Sequence, residues 1–149
     1  MGTVVIDTAV ALHADGADHP LREPCRTIIG AAAEGALEGH ASVELVQEYV
    51  HVARRRGRAI ARIERRVDLI RRVFHLHPFT EMMVPPMFES LRARSQLQTR
   101  DAIHVATALD LGIGSIVSPD RHFEGIDGIT RIDPLDEDAV AELIGGAGA

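Results

Sequence analysis

Several residue types on which common chemistries depend are rare or missing in this chain of 149 residues. It has no lysine, so all 16 of its basic residues are arginine. Receiver domains and haloacid-dehalogenase-type phosphatases place acids at strand ends but rely on a lysine, and its absence argues against both. The single cysteine, Cys25, excludes an internal disulfide and any zinc site built from cysteines. No strand is followed by a glycine-rich phosphate loop, which argues against a nucleotide-binding fold.

Long hydrophobic runs are missing as well. No apolar stretch approaches the roughly 20 residues that span a bilayer. The N-terminus has no basic region and meets an acid at Asp7, which is unlike a signal peptide. Hydrophobic residues make up 46% of the chain and charged residues 26%, as is typical of soluble globular proteins. We therefore expect one cytoplasmic domain over residues 1–149, long enough to bury about two-thirds of its surface on folding.

The net charge of −6 conceals a separation of charge along the chain. Residues 54–72 contain nine arginines and two acids, which gives this segment a local charge of +7. Five acids lie close together near the C-terminus: Asp133, Asp136, Glu137, Asp138 and Glu142. A basic helix can track a phosphate backbone, contact an acidic partner or simply face solvent, and charge alone favours none of these. If the segment binds a partner, we predict that Arg55, Arg58 and Arg62 contact RNA or protein.

The hydrophobic pattern predicts strands that alternate with helices. Strands are expected at 3–7, 40–43, 74–79, 115–117 and 129–133. Helices are expected at 8–13, 21–37, 44–55, 58–73, 86–93, 99–111 and 136–144. Thr99 is expected to cap the helix that Gly112 ends. Strands separated by helices indicate a parallel sheet with right-handed crossovers, so the predicted fold is a three-layer α/β/α domain with a mostly parallel central sheet.

Four acids occupy comparable places in this pattern. Asp7 closes the first predicted strand, and Asp120 follows the fourth after a two-residue turn. Asp101 opens an apolar helix, and Glu48 lies on the helix after the second strand. Each acid alone is an ordinary loop or helix-start residue. Sites in parallel sheets, however, form outside the carboxyl ends of the strands, where all four acids could meet.

Carboxylates gathered at one point favour a bound cation. Two of them about 5 Å apart repel by roughly 3 kcal/mol at an effective dielectric of 20, so four would take up protons or bind metal. Hard oxygen ligands that leave room for water and phosphate suit Mg²⁺ or Mn²⁺. Such ions activate water and neutralise charge on a phosphate under attack. The pattern is therefore typical of a metal-dependent nuclease.

Four motifs in order carry a family resemblance: VVIDT, ASVELVQEYVHV, RDAIHVATALDLG and IVSPDRHF. Together they resemble a PIN domain, specifically the VapC-type toxin ribonucleases of bacterial toxin–antitoxin pairs. The resemblance extends to about residue 134, followed by an acidic tail over 135–149, and RDAIHVATAL is its most specific part. It implies an α/β/α fold, cleavage of RNA that depends on Mg²⁺ or Mn²⁺, and a homodimer that is inhibited by a cognate antitoxin.

The resemblance also assigns site residues. It implies four acids that bind metal and act in catalysis, with two supporting hydroxyl groups: Asp7, Glu48, Asp101 and Asp120, with Thr8 and Ser118. Glu44 and Glu48 share a helix face, so spacing does not separate them, and the family pattern selects Glu48. Many relatives carry an acid where this chain has His122. An imidazole there could ligate Mn²⁺ or act on a proton, but this departure also supports an alternative, a PIN-like module that binds RNA or protein without cleaving it.

Other histidines suggest further interpretations. His75 and His77 would lie on one face of a strand, as in some zinc sites, but spacing implies no third ligand. His104 lies three residues after Asp101. It either flanks the acids or serves as a packing or surface residue, and the sequence favours the second interpretation.

Overall fold

Five parallel strands form the central sheet of the molecule. The computed structural model describes residues 1–146, and the last three residues of the predicted acidic tail lie outside this range. The strands are β1 (Gly2–Ile6), β2 (Leu37–Ser42), β3 (His75–His77), β4 (Ser115–Val117) and β5 (Thr130–Ile132). They pair in the order β3-β2-β1-β4-β5, and every pair is parallel. The carboxyl ends of all five strands therefore lie along the same edge of the sheet.

Helices cover both faces of this sheet. They are α1 (Thr8–Ala14), α2 (Arg22–Ala33), α3 (Glu44–Arg55), α4 (Ile60–Val73), α5 (Val84–Ala93), α6 (Thr99–Leu111) and α7 (Glu137–Gly145), with short 3-10 turns at Glu81–Met83 and Arg121–Phe123. The predicted three-layer α/β/α architecture is confirmed. None of the helices in the described part of the chain has the length and apolar character needed to cross a bilayer.

The central strand β1 separates two hydrophobic cores. Val4 and Ile6 pack with α1 to α4 and α7 on one face, whereas Val5 packs with α5 and α6 on the other. All three side chains are fully buried, which explains why β1 is a continuous apolar run rather than an alternating one. Burial of each such side chain stabilises the fold by about 1.5–3 kcal/mol. This strand holds the residue that follows it, Asp7, in a fixed position.

The second predicted helix is shorter in the structure, and β2 begins earlier than expected. Helix α2 ends at Ala33 rather than at residue 37. The chain then turns at Gly35, whose φ of +76° favours glycine. Within β2, a Cβ at Gly39 would come within 2.6 Å of Phe74 Cδ1, so the aromatic ring occupies that space. Only the boundary between α2 and β2 was predicted wrongly. The β2 sequence, LEGHAS, is poor in β-branched and aromatic residues, and pairing with β1 and β3 overrides this local preference.

Helix α6, which carries the most specific motif, has the predicted bounds but not the predicted start signal. It runs from Thr99 to Leu111, and Gly112 ends it with a φ of +67°. Thr99 does not cap the helix, because Gln98 occupies the N-cap position and makes no capping hydrogen bond through its side chain. Its apolar face is buried against β1 and β4, and this packing holds the helix. Helix α5 begins two residues before its predicted start, with two prolines in its first turn.

Candidate metal centre

Asp7 lies at the centre of the carboxyl edge of the sheet and is only 5% exposed. It follows β1 directly, and its backbone N–H donates to the Val117 carbonyl at 3.1 Å, which joins the ends of β1 and β4. Burial raises the pKa of the Asp7 carboxyl, and the contacts with His104 and Ser118 only partly oppose this. The negative charge of Glu48 raises the same pKa further. The ionised form of Asp7 is therefore destabilised unless a positive charge is nearby.

Ser118 connects Asp7 with the acid that follows β4. Its hydroxyl donates to Asp7 Oδ2 at 2.6 Å and accepts from the Asp120 backbone N–H at 3.0 Å. Asp120 Oδ1 accepts from the His122 backbone N–H at 2.9 Å, and His122 Nδ1 lies 3.3 Å from the same oxygen. The side chains of Asp120 and His122 are 36% and 45% exposed. Asp120 therefore forms the solvent-facing rim of the site, with His122 beside it.

Asp101 is the third residue of α6 and is only 6% exposed. Burial and the charge of Asp7 raise the pKa of the Asp101 carboxyl from 3.8 to about 6. The charge of Asp120 also raises it, whereas His104 and Arg100 lower it. The acids at the start of α6 and at the ends of β1 and β4 are thus close enough to repel one another.

Glu48 lies in the second turn of α3, with 16% of its side chain exposed. Its Oε1 lies 3.1 Å from Arg100 Nε, and its Oε2 lies 3.9 Å from His104 Nε2. Burial alone would raise the pKa of Glu48, but the contacts with His104, Thr8 and Arg100 outweigh burial, and the pKa is lowered. Of the two glutamates that spacing left open, Glu48 is the one that contacts α6 through these pairs.

His104 lies among the acids rather than in a purely apolar environment. It is 1% exposed, and its Nε2 lies 3.2 Å from Thr8 Oγ1 and 3.6 Å from Asp7 Oδ1. Burial opposes the charged imidazole, but Glu48, Asp7 and Asp101 outweigh it and raise the pKa of His104. The sequence favours a packing or surface role for this residue, whereas the structure places it beside the acids. Its position three residues after Asp101, on the same face of α6, was the available signal.

The donor set at this edge fits a divalent cation. Four carboxylates from separate segments provide hard oxygen ligands, and the two most buried of them, Asp7 and Asp101, have raised pKa values. As the side chains stand, residues 1–146 contain no group of three or more His, Cys, Asp or Glu arranged to hold a metal ion. Binding a cation would therefore require some of these side chains to adjust.

Some arginines of the basic segment, residues 54–72, form ion pairs within the chain. The side chain of Asp15, at the end of α1, is 7% exposed and accepts a hydrogen bond from Tyr49 Oη at 2.5 Å. Three arginines pair with the same carboxylate: Arg58, Arg62 and Arg66. Arg58 also donates to the Asp15 backbone carbonyl at 2.8 Å. Its guanidinium group is therefore engaged within the chain rather than presented to a partner. Arg55 is exposed, and Arg62 is 52% exposed at 3.7 Å from Asp15 Oδ1.

A second polar cluster lies on the neighbouring strands β2 and β3. His40 is in register with His75, and their rings are 4.9 Å apart between centroids. His40 Nδ1 lies 2.8 Å from His77 Nε2, while its Nε2 lies 2.9 Å from Glu38 Oε1. The neighbouring strand supplies the third histidine that spacing could not reveal. This cluster does not form a ligating group of three either, within the described residues.

Comparison with known proteins identifies the class to which this fold and site correspond. The chain matches the PIN domain over residues 4–129, and it therefore belongs to the PIN domain family. It is 32% identical over 143 residues to ribonuclease VapC7 of Mycobacterium tuberculosis, covering 95% of this chain and 98% of the relative. It is also 27% identical over 132 residues to ribonuclease VapC13 of the same species, covering 87% of this chain and 98% of that protein. The predicted VapC-type resemblance is confirmed.

Two solved structures share the fold. One is the crystal structure of VapBC2 from Rickettsia felis bound to a DNA fragment from the promoter of that pair. It has a TM-score of 0.69 and 12% identity, and the match covers 88% of this chain and 98% of that chain. The other is a toxin–antitoxin complex from Klebsiella pneumoniae, with a TM-score of 0.64, 16% identity, and coverage of 85% and 95%. At these identities the likeness supports the α/β/α fold alone.

Proposed function

We propose that this protein is an endoribonuclease that depends on Mg²⁺ or Mn²⁺ and serves as the toxin of a type II toxin–antitoxin pair. The observation that carries the proposal is that acids from four segments share one edge of the sheet, where burial and mutual charge raise the pKa of Asp7 and Asp101. The names of its relatives, ribonucleases of the VapC type, support RNA as the substrate.

In this proposal the bound cation supplies positive charge and Lewis acidity for hydrolysis of a phosphodiester. Asp7 and Asp101, the two most buried acids, would hold it together with Glu48 and Asp120. Ser118 fixes the orientation of Asp7 through its 2.6 Å hydrogen bond. Water would add to the phosphorus as the P–O3′ bond breaks. The attacking water would lose a proton to solvent and the 3′ oxygen would take one up, which gives 5′-phosphate and 3′-hydroxyl ends.

The decisive experiment is cleavage of structured RNA by metal-stripped protein to which Mg²⁺ or Mn²⁺ is returned. Asp7→Asn and Asp101→Asn should each slow cleavage by about 100-fold or more, because each removes charge stabilisation worth several kcal/mol. Asp110→Asn is the matched control, since Asp110 is exposed at the other end of α6, and it should cleave like the parent. Full activity in either site variant, or activity that survives chelation, would contradict the assignment.

The role of the basic segment is tested by the salt dependence of RNA binding. Arg55→Gln should lower the slope of log affinity against log salt by roughly one unit if Arg55 contacts a phosphate. Arg62→Gln should have a smaller effect because Arg62 also lies near Asp15. Arg58→Gln should act mainly on stability, because Arg58 is committed to Asp15. If none of the three changes the slope, the arginines do not bind RNA, and contact with the antitoxin becomes the interpretation to test.

We also propose a cognate antitoxin and a homodimer as the protein's partners. The Klebsiella pneumoniae structure of similar fold is a toxin–antitoxin complex, which supports the first, and the family resemblance supports the second. The antitoxin should be encoded beside this gene, purify with the protein and suppress RNA cleavage. Light scattering should give twice the mass of 16.2 kDa for the purified chain. A gene without a small neighbouring reading frame, or a monomer at micromolar concentration, would contradict these assignments.

A PIN module that binds RNA or protein without cleaving it is the second candidate function. It is favoured by His122 in place of an acid and by the arrangement of the acids, which holds no ready group of three ligands within residues 1–146. Calorimetry separates the two functions. A non-catalytic module should bind Mn²⁺ no better than a variant in which Asp7, Glu48, Asp101 and Asp120 are replaced by their amides.

A further inference from the structure

His104 presents one nitrogen to three oxygens of the candidate site. Its Nε2 lies 3.2 Å from Thr8 Oγ1, 3.6 Å from Asp7 Oδ1 and 3.9 Å from Glu48 Oε2. Asp7 lies between β1 and α1, Thr8 begins α1, and Glu48 lies on α3. The imidazole reaches all three from α6. The ring is 1% exposed, so water does not compete for these contacts.

The partners of the two ring nitrogens identify which atom carries the proton. His104 Nδ1 is buried and has no hydrogen-bond partner among residues 1–146, so it is unsatisfied in either tautomer. The groups that face Nε2 therefore decide where the proton lies. Ionised carboxylates only accept hydrogen bonds, so the nitrogen that faces Asp7 and Glu48 must donate. Nε2 therefore carries a proton whether the ring is neutral or charged.

Glu48 is also attracted towards Arg100, on the solvent side of the site. Its Oε1 lies 3.1 Å from Nε of Arg100, whose side chain is 57% exposed. Mutual repulsion between the carboxylates acts in the same outward direction. His104 and Thr8 are the buried residues that contact Glu48, and Thr8 itself contacts His104 Nε2. Without a donor at Nε2, the side chain of Glu48 should move towards Arg100 and away from Asp7.

We propose that His104 is a positioning residue: its Nε2–H donates to Thr8 Oγ1 and lies between the carboxylates of Asp7 and Glu48, and these contacts keep the three side chains around the point where the cation would bind. This inference rests on the proposed function, since it concerns the same site. His104 does not act on RNA or on the scissile bond. It sets the geometry of the side chains that bind the metal, as partners of metal ligands commonly do.

The test is Mn²⁺ binding to metal-stripped protein, measured by calorimetry, in two variants of different chemistry. His104→Leu keeps an apolar side chain of moderate size and removes the donor, and it should weaken Mn²⁺ binding by about 10–100-fold. His104→Gln can place an amide N–H close to the position of Nε2, and it should restore binding to within a few-fold of the parent. Thr107→Val is the matched control, because Thr107 is fully buried on the same helix and bonds only the Ile103 carbonyl.

The outcomes separate the inference from the proposed function. If the parent protein binds no Mn²⁺, the proposed function fails. If the parent binds Mn²⁺ and His104→Leu binds it equally well, or His104→Gln is as weak as His104→Leu, the positioning role fails alone. A measurement without any substitution guards against misfolding of the variants. Long-range ¹H–¹⁵N spectra of the metal-free parent should show a proton on Nε2 of His104, and a neutral ring protonated only at Nδ1 would overturn the proposal.

Discussion

Replacing Asp101 with asparagine should stabilise the metal-free protein. The Asp101 carboxyl is 6% exposed, and its pKa is raised from 3.8 to about 6 by burial and the charge of Asp7. A pKa shift of this size means that the folded protein disfavours the ionised carboxylate relative to the neutral acid by about 3 kcal/mol. At pH 7.5 the parent must bury the ionised form, whereas the Asp101→Asn variant is neutral. We therefore expect the variant to gain up to about 3 kcal/mol, or roughly 6–12 °C in Tm for a chain of this length.

The pH dependence of this gain has a definite sign. Between pH 4 and 6 the folded state of the parent binds more protons at Asp101 than the unfolded state does, so the parent loses stability as the pH rises. Below about pH 4 the carboxyl is protonated in both states, and its contribution disappears. The stability difference between the variant and the parent should therefore be small near pH 4, grow towards pH 6 and remain constant above it.

The assay is urea unfolding in EDTA at several pH values, repeated with Mn²⁺. Mn²⁺ at 100 times its dissociation constant should stabilise the parent by about 2.7 kcal/mol and stabilise Asp101→Asn much less. Asp110→Asn should follow the parent throughout. The reasoning would be refuted by a variant no more stable than the parent at pH 7.5 in EDTA, or by a stability gain that does not change with pH.

Two further changes test the packing that surrounds the site. Asp15→Asn should lower the free energy of unfolding by up to about 3 kcal/mol, because it leaves Arg58, whose side chain is 17% exposed, without its carboxylate. Asp18→Asn, at a side chain 96% exposed, should have little effect in the same urea titration. Gly39→Ala should destabilise by about 1–3 kcal/mol because its Cβ would come within 2.6 Å of Phe74 Cδ1. Gly30→Ala, in a helix and with open space at that position, should instead be neutral or stabilising by up to about 1 kcal/mol, and equal effects of the two alanines would contradict the packing argument.

The edge at which the acids meet could be predicted because its signals are local. An apolar run that ends at Asp7 predicts a buried strand and places an acid at its carboxyl end. The helical period of Ala102, Val105, Ala106 and Leu109 predicts the buried face of α6. The first three are fully buried, whereas Leu109, near the end of the helix, is 41% exposed. Parallel topology then brings the ends of β1 and β4 together without any knowledge of the side-chain contacts.

Features that depend on distant partners could not be predicted. Arg58 is one of nine arginines in its segment, and nothing near it indicates that it pairs with Asp15, 43 residues earlier. The spacing places His104 on the same face of α6 as Asp101, but its contact with Thr8, 96 residues earlier, is visible only in three dimensions. The start of β2 was predicted three residues too late for the same reason, since pairing with β1 and β3 rather than its own composition makes residues 37–39 part of the strand.

The hydrogen bond between Ser118 and Asp7 joins positions 111 residues apart, and it has a consequence for biosynthesis. Asp7 is synthesised long before β4 and Ser118, which order it. A nascent or truncated polypeptide that stops before Ser118 lacks both this bond and the acid at position 120. The four acids therefore cannot come together until the chain has been synthesised at least as far as Asp120.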